Sequence, residues 1–197
     1  MIGETLCNEE LVRRLPLPLA QLYRRAHNTV TGEARLNTAF CLWEATLKLL
    51  GSTAVITYAD RQEHSPELSE RLKNLARPTL GHWWEFVRLL VPALADAGDP
   101  GFCEVRDLLL GRSREDMPRA AALDAALREV LGWQTGSRIT LRLSELFERL
   151  VQFRNREIGH GALGQRPSDS RNGWGPPSLL GVGELLDRLD VLAGRTS

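Results

Sequence analysis

The sequence predicts an all-α fold, a helical bundle with short connections. Three observations lead there. Apolar side chains recur at spacings of three and four in almost every long segment, the period of one helical face. Proline and small polar residues stand where helices should begin. No run alternates apolar and polar residues for longer than about four positions, SRITLRL being the best candidate strand, and no internal repeat is present.

Taken in order, LPLPLAQLYRRAHN places Pro16 and Pro18 ahead of a short helical run carrying Leu19, Leu22 and Tyr23. Residues 33–58 form the longest predicted helix, with Leu36, Phe40, Trp43, Leu47 and Leu50 on one face. Its second half, with Ala54, Val55, Ile56 and Tyr58, reads as buried on most sides. SPELSERLKNLA follows, with Ser65 as N-cap, Pro66 at the first helical position and Leu68, Leu72 and Leu75 inside. Thr79 caps a helix from about 80 to 97 that contains Trp83, Trp84, Phe86, Val87, Leu90 and Leu94, with a kink expected at Pro92. DAGDPG is a turn, and short helices follow over 102–110 and 118–131, the second with Leu123, Leu127, Val130 and Leu131 inward. After a break at residues 135–137, a helix is predicted from about Ile139 to Ile158. A glycine-, proline- and serine-rich loop over 161–178 leads to a terminal helix over 179–194.

Composition narrows the function classes. The 197 residues carry 25 basic and 25 acidic side chains, a formal net charge of zero. A constitutive nucleic-acid coat or a membrane-surface binder needs a large surplus of one sign, so both are disfavoured. A chain of this length buries roughly 70% of its unfolded surface and is expected to fold as one domain, residues 1–197, without metal or disulfide. Cys7, Cys41 and Cys103 are odd in number and far apart, with no CxxC spacing, which fits a reducing compartment; the expected location is cytoplasmic. Cys41 and Cys103 lie among apolar neighbours and read as small core residues. The amino terminus is acidic and lacks an apolar leader, and FVRLLVPALA is interrupted by Arg88 and Pro92, so no membrane contact is expected.

The most informative segment is LRLSELFERLVQFRNREIGHG, residues 141–161. At about 100° per residue its apolar face collects Leu143, Leu146, Phe147, Leu150 and Val151, and Arg154 falls near the middle of that face. A buried guanidinium without a partner is costly. Either Arg154 is paired internally, with Glu157 or a distant acid, or the stripe opens there onto a cleft or interface. His160 stands between Gly159 and Gly161, where the helix is expected to end, so its imidazole is freed from the helical register. An imidazole moves protons near neutral pH, a guanidinium fork holds phosphate oxygens, and Asn155 adds an uncharged donor and acceptor. Arg77 and His82, in RPTLGH, repeat the loose spacing, but Pro78 follows the arginine at a helix junction, and this copy reads as a decoy.

Arg154-Asn155, followed after four residues by His160, resembles the signature of the HEPN superfamily: an arginine, usually a polar residue next, and a histidine four to six residues after the arginine, in the carboxy-terminal part of a helical bundle. LPLPLAQLYRR and LWEATLKLL resemble the front of some bacterial HEPN-type modules joined to larger signalling or defence proteins. The resemblance implies a HEPN-like helical bundle with additional short helices. It also implies a metal-independent endoribonuclease of bacterial defence or stress response, without cofactor. Arg154, Asn155 and His160 would then be the catalytic residues, completed across a homodimer interface, with RNA as substrate and an antitoxin or further domains of a longer protein as partners. The alternative is a catalytically inactive HEPN-like module that dimerises or binds a partner, as the amino-terminal part of a multidomain protein; LLDRLDVLAGRTS bears no mark of a natural stop.

Between residues 138 and 171 seven arginines face four acids, a surplus of three in a neutral chain. Arg149, Arg156, Arg166, Arg171 and Trp174 are accordingly expected to bind substrate, the tryptophan by stacking on a base. An ordinary solvated face and a mobile connector are the competing readings of this patch and its loop. No metal site is expected, because neither an acidic cluster nor a second histidine lies near His160. His27, His64 and His82 read as caps or surface residues, and Trp83–Trp84 as core plus edge, with Trp84 the candidate for an interface.

Overall fold

The computed structural model describes residues 7–112, 115–133 and 140–158, and these form an all-α body with no strand among them. The predicted terminal helix over 179–194 and the loop over 161–178 lie outside the described residues. The helices are α1 (Glu9–Arg14), α2 (Leu17–Asn28), α3 (Gly32–Ala59), α4 (Pro66–Leu72), α5 (Leu80–Asp96), α6 (Pro100–Leu109), α7 (Pro118–Leu131) and α8 (Leu143–Phe153). A 3₁₀ turn, Lys73–Ala76, extends α4, and a π-helical turn, Arg154–Ile158, follows α8.

Local chemistry sets the starts. Asn8, Thr31, Ser65 and Asp99 each accept a backbone N–H of the first turn through a side-chain oxygen, contacts worth about 1 kcal/mol apiece. At α5, Thr79 Oγ1 accepts from His82 N–H at 3.3 Å, and His82 Nδ1 accepts from Thr79 N–H at 3.1 Å. This reciprocal box makes His82 a capping residue, as its sequence context suggested. α5 runs as one helix through Pro92.

α3 is the central column. It packs on both α2 and α5; α5 in turn contacts α6 and α8, and α7 lies against α8. The α3–α5 approach is close at Gly51, where an added Cβ would lie 2.9 Å from the Trp83 ring. Leu36, Phe40, Trp43, Leu47, Leu50, Ala54 and Tyr58 face the core, as their spacing predicts. The second half of α3 is not buried on most sides, however: Ile56 is 61% exposed. By length and composition alone, α3 over Ala34–Ala59 could cross a membrane, and half of its most apolar window is buried inside the protein.

Two single-residue expectations are corrected. Cys41 is exposed and Cys103 half-buried, with its Sγ donating to Ala95 O at 3.5 Å, so neither is a core residue. Trp84 is buried and stacked on Phe147, so it belongs to the core and marks no open surface, while Trp83 is the half-buried partner at its edge. The thiols therefore differ in reactivity. Burial and the Glu9 carboxylate push the Cys7 thiol above its ordinary range, which lowers its thiolate fraction. With limiting iodoacetamide at neutral pH, peptide mapping should find Cys41 alkylated first and Cys7 well behind it; faster labelling of Cys7 would contradict this arrangement.

Candidate functional site

The candidate site lies where α8 gives way to the π-helical turn, and two sets of contacts hold α8. The first is apolar. Phe147 is fully buried and stacks on Trp84 of α5, with ring centroids 5.0 Å apart and planes at 20°, and it leans on Trp43 of α3 at 6.0 Å. Phe153, at the end of α8, stacks on Phe40 of α3 at 5.2 Å and 23°. Phe40 and Trp43 meet edge to face, so one aromatic ladder joins α3, α5 and α8. The indole N–H groups of Trp43 and Trp84 are buried without an acceptor among the described residues, so ring packing alone holds these two side chains.

The second set is ionic and faces α7. Asp124 Oδ1 accepts from Arg149 Nε at 2.5 Å, and Asp124 Oδ2 accepts from Arg128 Nε at 2.8 Å. Glu145 Oε2 closes the ring, accepting from Arg128 Nη2 at 3.2 Å and Arg149 Nη2 at 3.3 Å. Two carboxylates and two guanidiniums thus form a neutral quartet. Its inner half is well buried, with Arg149 3% and Asp124 7% exposed. The indole of Trp133 lies over the Arg149 guanidinium at 5.6 Å. That indole is placed by the end of α7. Gly132 takes φ +74°, and Trp133 N–H returns to Arg128 O at 2.8 Å, a Schellman closure that sets the indole against Arg149 of α8.

At Arg154 the helix widens to the π form, a geometry that occurs mostly as single turns and often at functional sites. The predicted α-helix from Ile139 to Ile158 therefore begins later, at Leu143, and ends as a different helix. Arg154 is half-buried at the end of the apolar stripe, and Asn155 and Arg156 are exposed. Among the side chains the structure describes, which do not include that of Glu157, Arg154 has no ion-pair partner, whereas Arg149, five residues earlier, is fully engaged. Arg156 Nη1 donates to Leu131 O at 3.2 Å, capping the carboxy-terminal end of α7.

The sequence-predicted residues thus separate into three groups. Arg154 and Asn155 stand together on the turn, and Arg156 stands beside them but is bonded to α7. Arg149, expected at the substrate face, is instead buried in the ion quartet; its charge is neutralised inside the protein. His160, Arg166, Arg171 and Trp174 lie outside the described residues. Sequence reasoning passed over Asp124. Its signal is visible in hindsight of the fold alone: Ala120, Asp124, Leu127 and Leu131 follow one another at helical spacing and are all buried, so an acid stands on the inner stripe of α7. Among the described residues, no three histidine, cysteine or acidic side chains gather as metal ligands.

Searches against family models, curated proteins and solved structures found no match to this chain.

Proposed function

We propose that the protein is a metal-independent HEPN-type endoribonuclease acting in bacterial defence or stress response. The supporting observation is the state of Arg154. At the end of α8 it is a half-buried guanidinium without an acid partner among the described side chains, which do not include that of Glu157, beside the exposed amide of Asn155, on a widened helical turn. Such a group is available to an anion, as the neutralised Arg149 is not.

RNA supplies its own nucleophile. The 2′-hydroxyl attacks the adjacent phosphorus, the bond to the 5′-oxygen breaks, and the protein must remove one proton, return another and stabilise the charge that builds on the phosphoryl oxygens. Arg154 fits the last task, Asn155 orients the phosphate, and His160 is the proton carrier of the motif. In this reading the active form is a cytoplasmic homodimer in which two such pairs face one shared substrate cleft, with an antitoxin or further domains restraining it.

The test is incubation of the purified protein with RNA in excess EDTA. The wild type should cleave, and His160→Ala and Arg154→Ala should each reduce the rate by about 100-fold or more while leaving the helical circular dichroism unchanged. Absence of chelator-resistant cleavage, or equal cleavage by all three proteins, overturns the nuclease reading and leaves the inactive dimerising or partner-binding module.

A further inference from the structure

We propose that Arg156 is a positioning residue, holding the Arg154–Asn155 turn against the end of α7 and acting through the turn, not by touching substrate. The inference rests on the nuclease reading for its activity arm only.

The argument begins with what a π turn needs. Bonds from residue i to i−5 are less favourable than α-helical ones, so a single π turn persists where its surroundings hold it. Asn155 and Arg156 are polar and exposed, so burial of apolar surface does not hold that part of the turn. On the upstream side Phe153 is fixed by its stack on Phe40. The bond from Arg156 Nη1 to Leu131 O reaches instead to a different helix.

The acceptor is well chosen for a cation. The last carbonyls of a helix lack intrahelical donors and form the negative end of its dipole. At α7 the Schellman closure serves Arg128 O and Glu129 O, through the N–H groups of Gly132 and Trp133. Leu131 O lies beyond that closure and is the carbonyl that Arg156 meets. The same corner carries Trp133 over Arg149, so α7 grips the end of α8 at two levels, by the indole one turn before Arg154 and by Leu131 O just after it. Arg154 and Asn155 lie between the two grips. Their direction is therefore set by the α7 corner.

A substrate ligand and a positioning residue respond differently to replacement. Arg156→Met removes the donor; Arg156→Lys keeps a charge and a donor. Backbone hydrogen exchange is the first readout. Arg156→Met should speed exchange of the amides at 155–158 by about tenfold without changing the protection of α3 and α5, and Arg156→Lys should recover a substantial part of that loss. The second readout is RNA cleavage in EDTA, where Arg156→Met should lower kcat by about tenfold with KM nearly unchanged. Unaltered exchange in Arg156→Met overturns the proposal. So does a raised KM with kcat preserved, which would make Arg156 a ligand of the phosphate chain. If the wild type does not cleave RNA, the nuclease reading fails while the exchange measurement still decides whether Arg156 holds the turn.

Discussion

Replacing Asp124 with alanine should destabilise the protein by about 3–5 kcal/mol, measured by urea denaturation of the whole chain. The reason lies in what the substitution leaves behind. Arg149 is 3% exposed and receives its closest compensation from Asp124 Oδ1 at 2.5 Å. Without that carboxylate its remaining acid is Glu145, at 3.3 Å and nearer to solvent. A buried guanidinium that has lost its main partner must open the α7–α8 seam to water or bear the desolvation penalty in full. The paired replacement Asp124→Leu with Arg149→Met should behave otherwise. It removes both inner charges together, leaves Arg128 and Glu145 to pair at the rim, and fills the space with apolar atoms. More than half of the loss should be recovered. If Asp124→Ala costs less than about 1 kcal/mol, the range of an exposed pair, the quartet is not the buried clasp described.

The same quartet shows where sequence reasoning reached and where it stopped. Helices α3, α5, α6 and α7 were legible to within two residues at each end, because apolar spacing marks their faces and threonine, aspartate or proline stands at their first turns. Arg149 reads in the sequence as one more arginine of a basic patch and Asp124 does not stand out at all, because their pairing spans 25 residues and two helices. No local pattern encodes it. The sequence instead singles out Arg154, five residues on, for which Glu157 or a distant acid is the competing internal partner. Cys41 failed for a related reason. Its sequence neighbours Phe40 and Leu42 are buried, yet adjacent helical residues point about 100° apart, and Cys41 shares its exposed face with Asn37 and Lys48. The π turn was invisible, since RNREI carries no apolar periodicity from which a change of pitch could be read. Helix α1 also went unanticipated: six residues capped by Asn8 are too short to show a stripe.

Phe147→Ala should be as damaging as the loss of Asp124, about 3–5 kcal/mol, through the other side of the same helix. Phe147 is fully buried between the Trp84 and Trp43 rings, and truncation removes both ring contacts and opens a cavity among α3, α5 and α8. Phe147→Leu keeps most of the volume and should cost roughly half as much or less. Tryptophan emission distinguishes cavity formation from loss of helix α8 alone. A collapsed but intact core keeps Trp43 and Trp84 dry and the emission maximum nearly fixed, whereas detachment of α8 wets both and shifts it to the red. Single domains carry about 5–15 kcal/mol in total, so either truncation consumes a large share. Because the aromatic and ionic clasps engage opposite sides of α8, Phe147→Ala combined with Asp124→Ala should leave α8, and the turn it presents, without a fixed place at 25 °C. A double variant that still unfolds cooperatively, with only one clasp's worth of loss, would mean that the two are not independent supports of that helix.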